Sequence, residues 1–184
     1  MDSLRIQNLI KQCQNHESKA QFEIYKMYSK PLYNTAYRIV KHQAEAEDVV
    51  QEAFLKAFKN INSFSQKVPF MAWLKRIVVN QSIEHQKKFK RYDFDTKHKL
   101  EQEQVSFENE EQEIDSRTLS STKLKETIQK LPERESLIIG LHLIEGYDYD
   151  EIQEITGLSY ANCRTSFSRA KKRLQNELKN KSIS

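Results

Sequence analysis

Residues 44–64, AEAEDVVQEAFLKAFKNINSF, decide the fold. Ala46, Val49, Val50, Ala53, Phe54, Ala57, Phe58 and Ile61 recur at steps of three and four, which places them on one continuous apolar stripe of a helix. Such a stripe is stable only against apolar faces of other elements. The opposite face carries Asp48, Gln51, Glu52 and Leu55. At 100° per residue, Leu55 projects within about 20° of Asp48, among acids and away from the core. Taken alone, a single leucine on a solvated face is the commoner situation. An apolar anchor ringed by acids, made to meet a basic partner, is the alternative.

On the N-terminal side the spacing predicts helices over 3–14, 17–29 and 31–41, with Pro31 in the first turn of the last. On the C-terminal side Pro69 opens a helix over 69–90. Phe70, Leu74, Ile77, Val78 and Gln81 mark its inward face. Trp73, Arg76, Asn80 and Lys87 share an adjacent face that runs into Lys88, Lys90 and Arg91. Cations hold phosphates, an aromatic ring can stack an unpaired base, and an amide can bond a base edge. A lone Trp more often fills core, so the sequence leaves both roles open. Phe64 and Phe70 flank the polar loop Ser65-Gln66-Lys67, as a pocket or as an apolar clasp.

Farther along, Leu131-Pro132-Glu133 starts a helix with acids in its first turn, where the helix dipole favours them. The apolar run Leu137 to Ile144 reads as a buried helix, being far too short to span a bilayer. Gly146 ends it. Asp148 then caps a short helix, Gly157 breaks it, and Ser159 caps a longer one. A short helix, a glycine turn and a longer basic helix form a helix-turn-helix pattern. Cys163, Phe167, Ala170, Leu174 and Leu178 are the buried stripe of the second helix. Thr165, Ser168, Arg169 and Lys172 face the other way, flanked by Arg164 and Lys171. These residue types suit major-groove reading, and equally a solvated basic face.

Composition supports helices throughout. Only three Gly and three Pro occur in 184 residues, which excludes Gly-rich phosphate cradles and turn-rich β-sandwiches. With 30% charged residues the chain is not expected to be a membrane protein, and no secretory signal is expected where Leu4, Ile6, Leu9 and Ile10 are interrupted by Arg, Gln and Asn. The net charge of +4 conceals an uneven distribution. Residues 1–92 carry sixteen basic and eight acidic groups, 93–118 three and nine, and 119–184 eleven and nine. The acidic, Gln/Glu-rich middle segment cannot bury enough apolar surface to offset its ordering entropy, so it reads as a flexible linker. Cys13 and Cys163 have no CxxC companion and no His pair has zinc-ligand spacing. A reduced cytoplasmic protein without metal or cofactor is expected.

The run 44–64 followed by FMAWLKRIVVNQSIEHQKKFKR (70–91) resembles the bacterial RNA polymerase sigma factors, and among them the extracytoplasmic-function subfamily, which keeps conserved regions 2 and 4. LPERESLIIGLHLIEGYDYDEIQEITGLS (131–159) and RTSFSRAKKRL (164–174) support it independently, in the expected order. The resemblance implies an all-α chain with region 2 in residues 1–92, an acidic linker in 93–118 and region 4 in 119–184. It implies that Asp48, Gln51, Glu52 and, by the facial argument, Leu55 dock onto a coiled coil in the largest subunit of core RNA polymerase. Phe64, Phe70, Trp73, Arg76 and Asn80 are then expected to capture melted −10 promoter DNA, with Lys87, Lys88 and Arg91 on phosphates. Arg164, Thr165, Ser168, Arg169 and Lys172 are expected to read the −35 duplex. An anti-sigma factor is a further partner known in the family. Gln153, Thr156, Cys163 and Ser166 depart from the family pattern, standing where Ala, Leu, Val and Arg are usual.

Two rivals are kept. A stand-alone helix-turn-helix regulator would leave the acidic patch around Leu55 without a role. A small nuclease or other enzyme would need metal-binding carboxylates from Asp148 and Asp150, or from Glu45, Glu47 and Asp48, yet acids at a helix start have a structural explanation.

Overall fold

The structure is a computed structural model that describes residues 2–95, 124, 127–128 and 130–180. The described residues are mostly helical and include no strand, and they fall into two compact units, one ending at Asp95 and one following it. The first holds α1 (Asp2–Gln14), α2 (Ser18–Val40), α3 (Gln43–Lys59), a 3₁₀ turn (Ile61–Ser63) and α4 (Phe70–Asp95). α2, α3 and α4 pack against one another, and α1 lies on α2.

The stripe expected on α3 is the centre of this core. Ala46, Val49, Val50, Ala53, Phe54, Ala57 and Ile61 are buried and Phe58 is half-buried. Each fully buried Val, Ile or Phe contributes about 1.5–3 kcal/mol relative to exposure. Tyr25 of α2 meets Phe54 edge-on at 4.8 Å, and the Gln86 side chain donates to the Ile39 carbonyl at 2.6 Å, tying α4 to α2. The inward face of α4 differs from expectation. Leu74 and Val78 are buried, but so are Val79, Ser82 and Ile83, while Gln81 stays at the edge.

Pro31 does not start a helix. α2 runs unbroken from Ser18 to Val40 with Pro31 inside it. An interior proline costs about 3 kcal/mol by removing a donor and crowding the carbonyl four residues back. Here Pro31 and Met27 both face solvent, so the freed Met27 carbonyl can be hydrated. Meanwhile Ala20, Ile24, Leu32, Thr35, Ala36 and Ile39 form one uninterrupted buried stripe across the proline. Packing outweighs the local break.

α4 continues through Asp95, so the first residues of the expected linker, 93–95, are helical. The rest of the expected linker, 96–118, lies outside the described residues, as do the side chains of Lys90, Arg91 and Leu178.

The second unit contains α5 (Glu133–Ile139), a π turn (Gly140–Ile144), α6 (Tyr149–Thr156) and α7 (Tyr160–Asn180). Ile128, Leu131, Ile139, Ala170 and Leu174 build a core shared by α5 and α7. The run 137–144 is not a uniform buried helix. After Ile139 the ladder widens, with the Glu145 N–H bonding the Gly140 carbonyl, and Leu143 emerges into solvent. The imidazole Nδ1 of His142 lies 2.7 Å from the Tyr147 carbonyl and closes the turn. Gly146 follows at φ 82°, a left-handed value that only glycine adopts without strain.

Asp148 and Glu151 form a reciprocal capping box at the start of α6, with bonds of 2.8 and 2.9 Å. Gly157, at φ 76°, ends α6, and the Ser159 hydroxyl accepts from the Asn162 N–H to open α7. Asp148→Ala is expected to cost roughly 1 kcal/mol locally, read as about fivefold faster amide hydrogen exchange over residues 149–156.

Candidate functional site

The α3 face opposite the core is built as its spacing implies. Asp48, Gln51, Glu52 and Leu55 are all exposed, and Leu55 retains 71% of its accessible surface. Two contacts brace this face against α4. The Gln81 side chain donates to Glu52 at 2.7 Å, and the Lys56 ammonium lies 4.0 Å from Glu84. Glu52 is therefore held in place, while Leu55 stands exposed on a partly acidic surface.

On the same unit, Phe64, Phe70 and Trp73 close an aromatic triangle with centroid separations of 5.3, 5.4 and 5.5 Å. Phe64 and Phe70 are only 7% and 6% exposed. Of the pocket and the apolar clasp left open by the sequence, this burial fits the clasp. Both rings are held in the core, with Tyr28 tilted against Phe70, and form the wall behind Trp73, which is half-buried. Trp73 packs against both Phe rings and keeps part of its surface exposed.

Asn80 lies two turns farther along α4, within about 20° of Trp73, with exposed Arg76 between them. Lys87 and Lys88 continue the exposed basic line. The helix carries Arg91 as well, but its side chain lies outside the described residues. Pro69 positions the start of α4, its carbonyl accepting from the Ala72 and Trp73 amides at 3.0 and 3.2 Å. The preceding loop, 65–69, is exposed, with Gln66 at φ 60°.

In the second unit, Arg164, Thr165, Ser168, Arg169 and Lys172 are all exposed on α7. The Thr165 hydroxyl donates to the Ala161 carbonyl at 2.8 Å. Not every cation of α7 is available. Arg173 lies 3.0 Å from the buried Glu135 carboxylate and fixes α7 to α5. Ser166 faces inward and is buried.

The departures from the family pattern carry structural weight. The Gln153 amide oxygen accepts from the Tyr160 N–H at 2.8 Å, capping α7 from across the turn. The Thr156 hydroxyl donates to the Ile152 carbonyl at 2.7 Å and accepts from the Leu158 N–H at 3.2 Å. Cys163 is fully buried beneath them, and burial pushes its thiol pKa up, against opposing contributions from the Thr156 hydrogen bond and Arg134. Burial, reinforced by Glu17, likewise pushes the Cys13 thiol up to about 11. Both cysteines are protonated core residues at neutral pH.

The sequence reading missed the polar staple of the turn, the Glu52–Gln81 bond and the Glu135–Arg173 pair. Their partners are separated by between seven and 38 positions and share no periodicity. Among the described residues no group of three or more His, Cys, Asp or Glu is placed to hold a metal, and no helix is long and apolar enough to cross a membrane.

The fold and these surfaces define a two-unit helical protein whose second unit is a helix-turn-helix with a basic outer face. Comparison with known proteins specifies this further. Residues 24–92 match the family model for Sigma-70 region 2, and residues 121–174 match that for Sigma-70 region 4. The ECF RNA polymerase sigma factor SigW of Bacillus subtilis is 30% identical over 184 residues, covering 96% of this chain and 98% of the relative. RNA polymerase sigma factor YlaC of the same organism is 27% identical, covering 85% and 90%. Among solved structures, the sigma factor RpoE of Bartonella quintana, determined with the anti-sigma factor NepR, superposes with a TM-score of 0.64 at 23% identity, over 85% of this chain and 95% of that one. This chain belongs to the ECF sigma factors of RNA polymerase.

Proposed function

We propose that the chain is a dissociable promoter-specificity subunit with no active site of its own, acting in the cytoplasm. Region 2 corresponds to residues 1–92, region 4 to 119–184, and the acidic stretch 93–118 joins them. Core polymerase is engaged through Asp48, Gln51, Glu52 and Leu55. The observation that carries this reading is the exposure of Leu55 on the face opposite the buried stripe. An apolar residue placed so deliberately among acids fits a desolvated anchor surrounded by a polar rim.

Trp73 and Asn80 take the melted −10 strand, Trp73 by stacking and Asn80 by hydrogen bonding. Arg76, Lys87, Lys88 and Arg91 neutralise phosphates, and Phe64 and Phe70 hold Trp73 in position. α7 reads the −35 duplex through Arg164, Thr165, Ser168, Arg169 and Lys172. Each contact is weak by itself. Polymerase holds both units on one DNA and converts them into a bivalent grip. Capture of unstacked bases offsets part of the cost of opening the duplex. An anti-sigma factor covering the Leu55 face is a natural means of control, and the solved relative from Bartonella quintana was determined with one.

The enzyme reading has little to stand on. Asp148 is consumed by the capping box of α6, and Glu45 lies 3.5 Å from the His85 Nδ1 and beside the N-cap residue His42. Run-off transcription with core polymerase tests the proposal: the chain is expected to direct discrete start sites, and random starts would refute it. Within that assay, Arg169→Ala should cost about 1–3 kcal/mol in binding at one −35 position. A loss equal for every −35 variant would assign Arg169 to phosphate.

A further inference from the structure

We infer that Asn162 is a specificity-determining residue of −35 recognition, reading an adenine through its side-chain amide. The inference deepens the reading of α7 as the −35 helix and rests on it. Asn162 occupies the first turn of α7, where its backbone N–H is taken by the Ser159 hydroxyl at 3.3 Å. Its side chain is exposed and is engaged by no described residue. It is seven residues before Arg169, hence within about 20° of it around the helix and about 10.5 Å along the axis. That separation corresponds to roughly three base-pair steps of 3.4 Å.

The N-terminal end of α7 is built for close approach and fixed orientation. Ala161, beside Asn162, is exposed and has no side chain beyond Cβ, which leaves room for a groove wall. Gln153 pins the helix end by accepting from the Tyr160 amide, and Thr156 holds the turn below it. An amide delivered at a fixed angle into the major groove can donate to adenine N7 and accept from adenine N6 together. No other base offers that pair. Gln153 is the positioning residue in this arrangement, and Asn162 makes the contact.

The test uses holoenzyme assembled from core polymerase and the full chain, with a promoter library randomised through the −35 element. The wild type is expected to prefer adenine at a position about three base pairs from the one read by Arg169. Asn162→Ala should flatten that single preference by roughly 5- to 150-fold and leave the others in place. Asn162→Asp keeps the acceptor and loses the donor, so it should shift the same position from adenine toward cytosine. An acid in the first turn of a helix favours folding, so this variant remains informative if the alanine variant is unstable. A uniform loss over all library members with Asn162→Ala, or no change of base order with Asn162→Asp, overturns the inference. Complete indifference of the wild-type holoenzyme to the −35 library would instead overturn the reading of α7.

Discussion

Leu55→Asp is expected to abolish capture of the chain by core polymerase while thermal unfolding stays cooperative and near the wild-type midpoint. The side chain is 71% exposed, so its replacement removes little packing, and surface changes of this kind fall within about 0.5 kcal/mol. In a complex the same position becomes a desolvated anchor. Truncating such an anchor costs about 2 kcal/mol or more, and burying an unpaired carboxylate there adds several more. A combined loss of this size is at least a hundredfold in affinity by ordinary free-energy arithmetic. Phe22→Asp supplies the control, because Phe22 is an equally exposed apolar residue on α2, away from the α3 face. It should leave pull-down intact. Equal loss with both variants, or capture of Leu55→Asp at wild-type strength, would remove Leu55 from the docking face.

Trp73→Ala should impair promoter opening far more than formation of the closed complex. Stacking of one base on an aromatic ring is worth about 1–3 kcal/mol, or roughly a 5- to 150-fold fall in the open fraction. Permanganate reactivity of −10 thymines measures that fraction, and footprinting on duplex measures the closed complex. Because Trp73 also packs on Phe64 and Phe70, its removal leaves a gap in the aromatic triangle. Trp73→Phe separates the two effects. A smaller ring still stacks a base, so it should restore most of the opening. If Phe fails to rescue, or if closed and open complexes fall together, Trp73 acts only as packing.

Much of this architecture was legible in the chain because helical periodicity is a local signal. The α3 stripe, the Pro69 start of α4, the Asp148 cap and the two glycine stops each depend on residues within a turn of one another. What was not legible depends on tertiary partners. Pro31 reads as a helix start until the stripe on both sides of it is seen to be one buried surface. Phe64 and Phe70 read equally as a pocket or an apolar clasp until Tyr28 and Trp73 are seen packed against them. The face of α7 was visible by spacing, but the sequence could not show that Arg173 is bound by Glu135 while Arg169 faces solvent. Nor could it show that Gln153 caps α7 from seven residues away.

Under the proposed function, neither helical unit finds a promoter until polymerase holds both. Fluorescence anisotropy of a labelled promoter duplex, titrated with the chain alone and with the chain plus core polymerase, measures that dependence directly. The free chain should bind cognate and scrambled duplexes alike and weakly, and core polymerase should raise cognate affinity by about a hundredfold or more. Tight, sequence-selective binding by the free chain, unchanged when core polymerase is added, would contradict it.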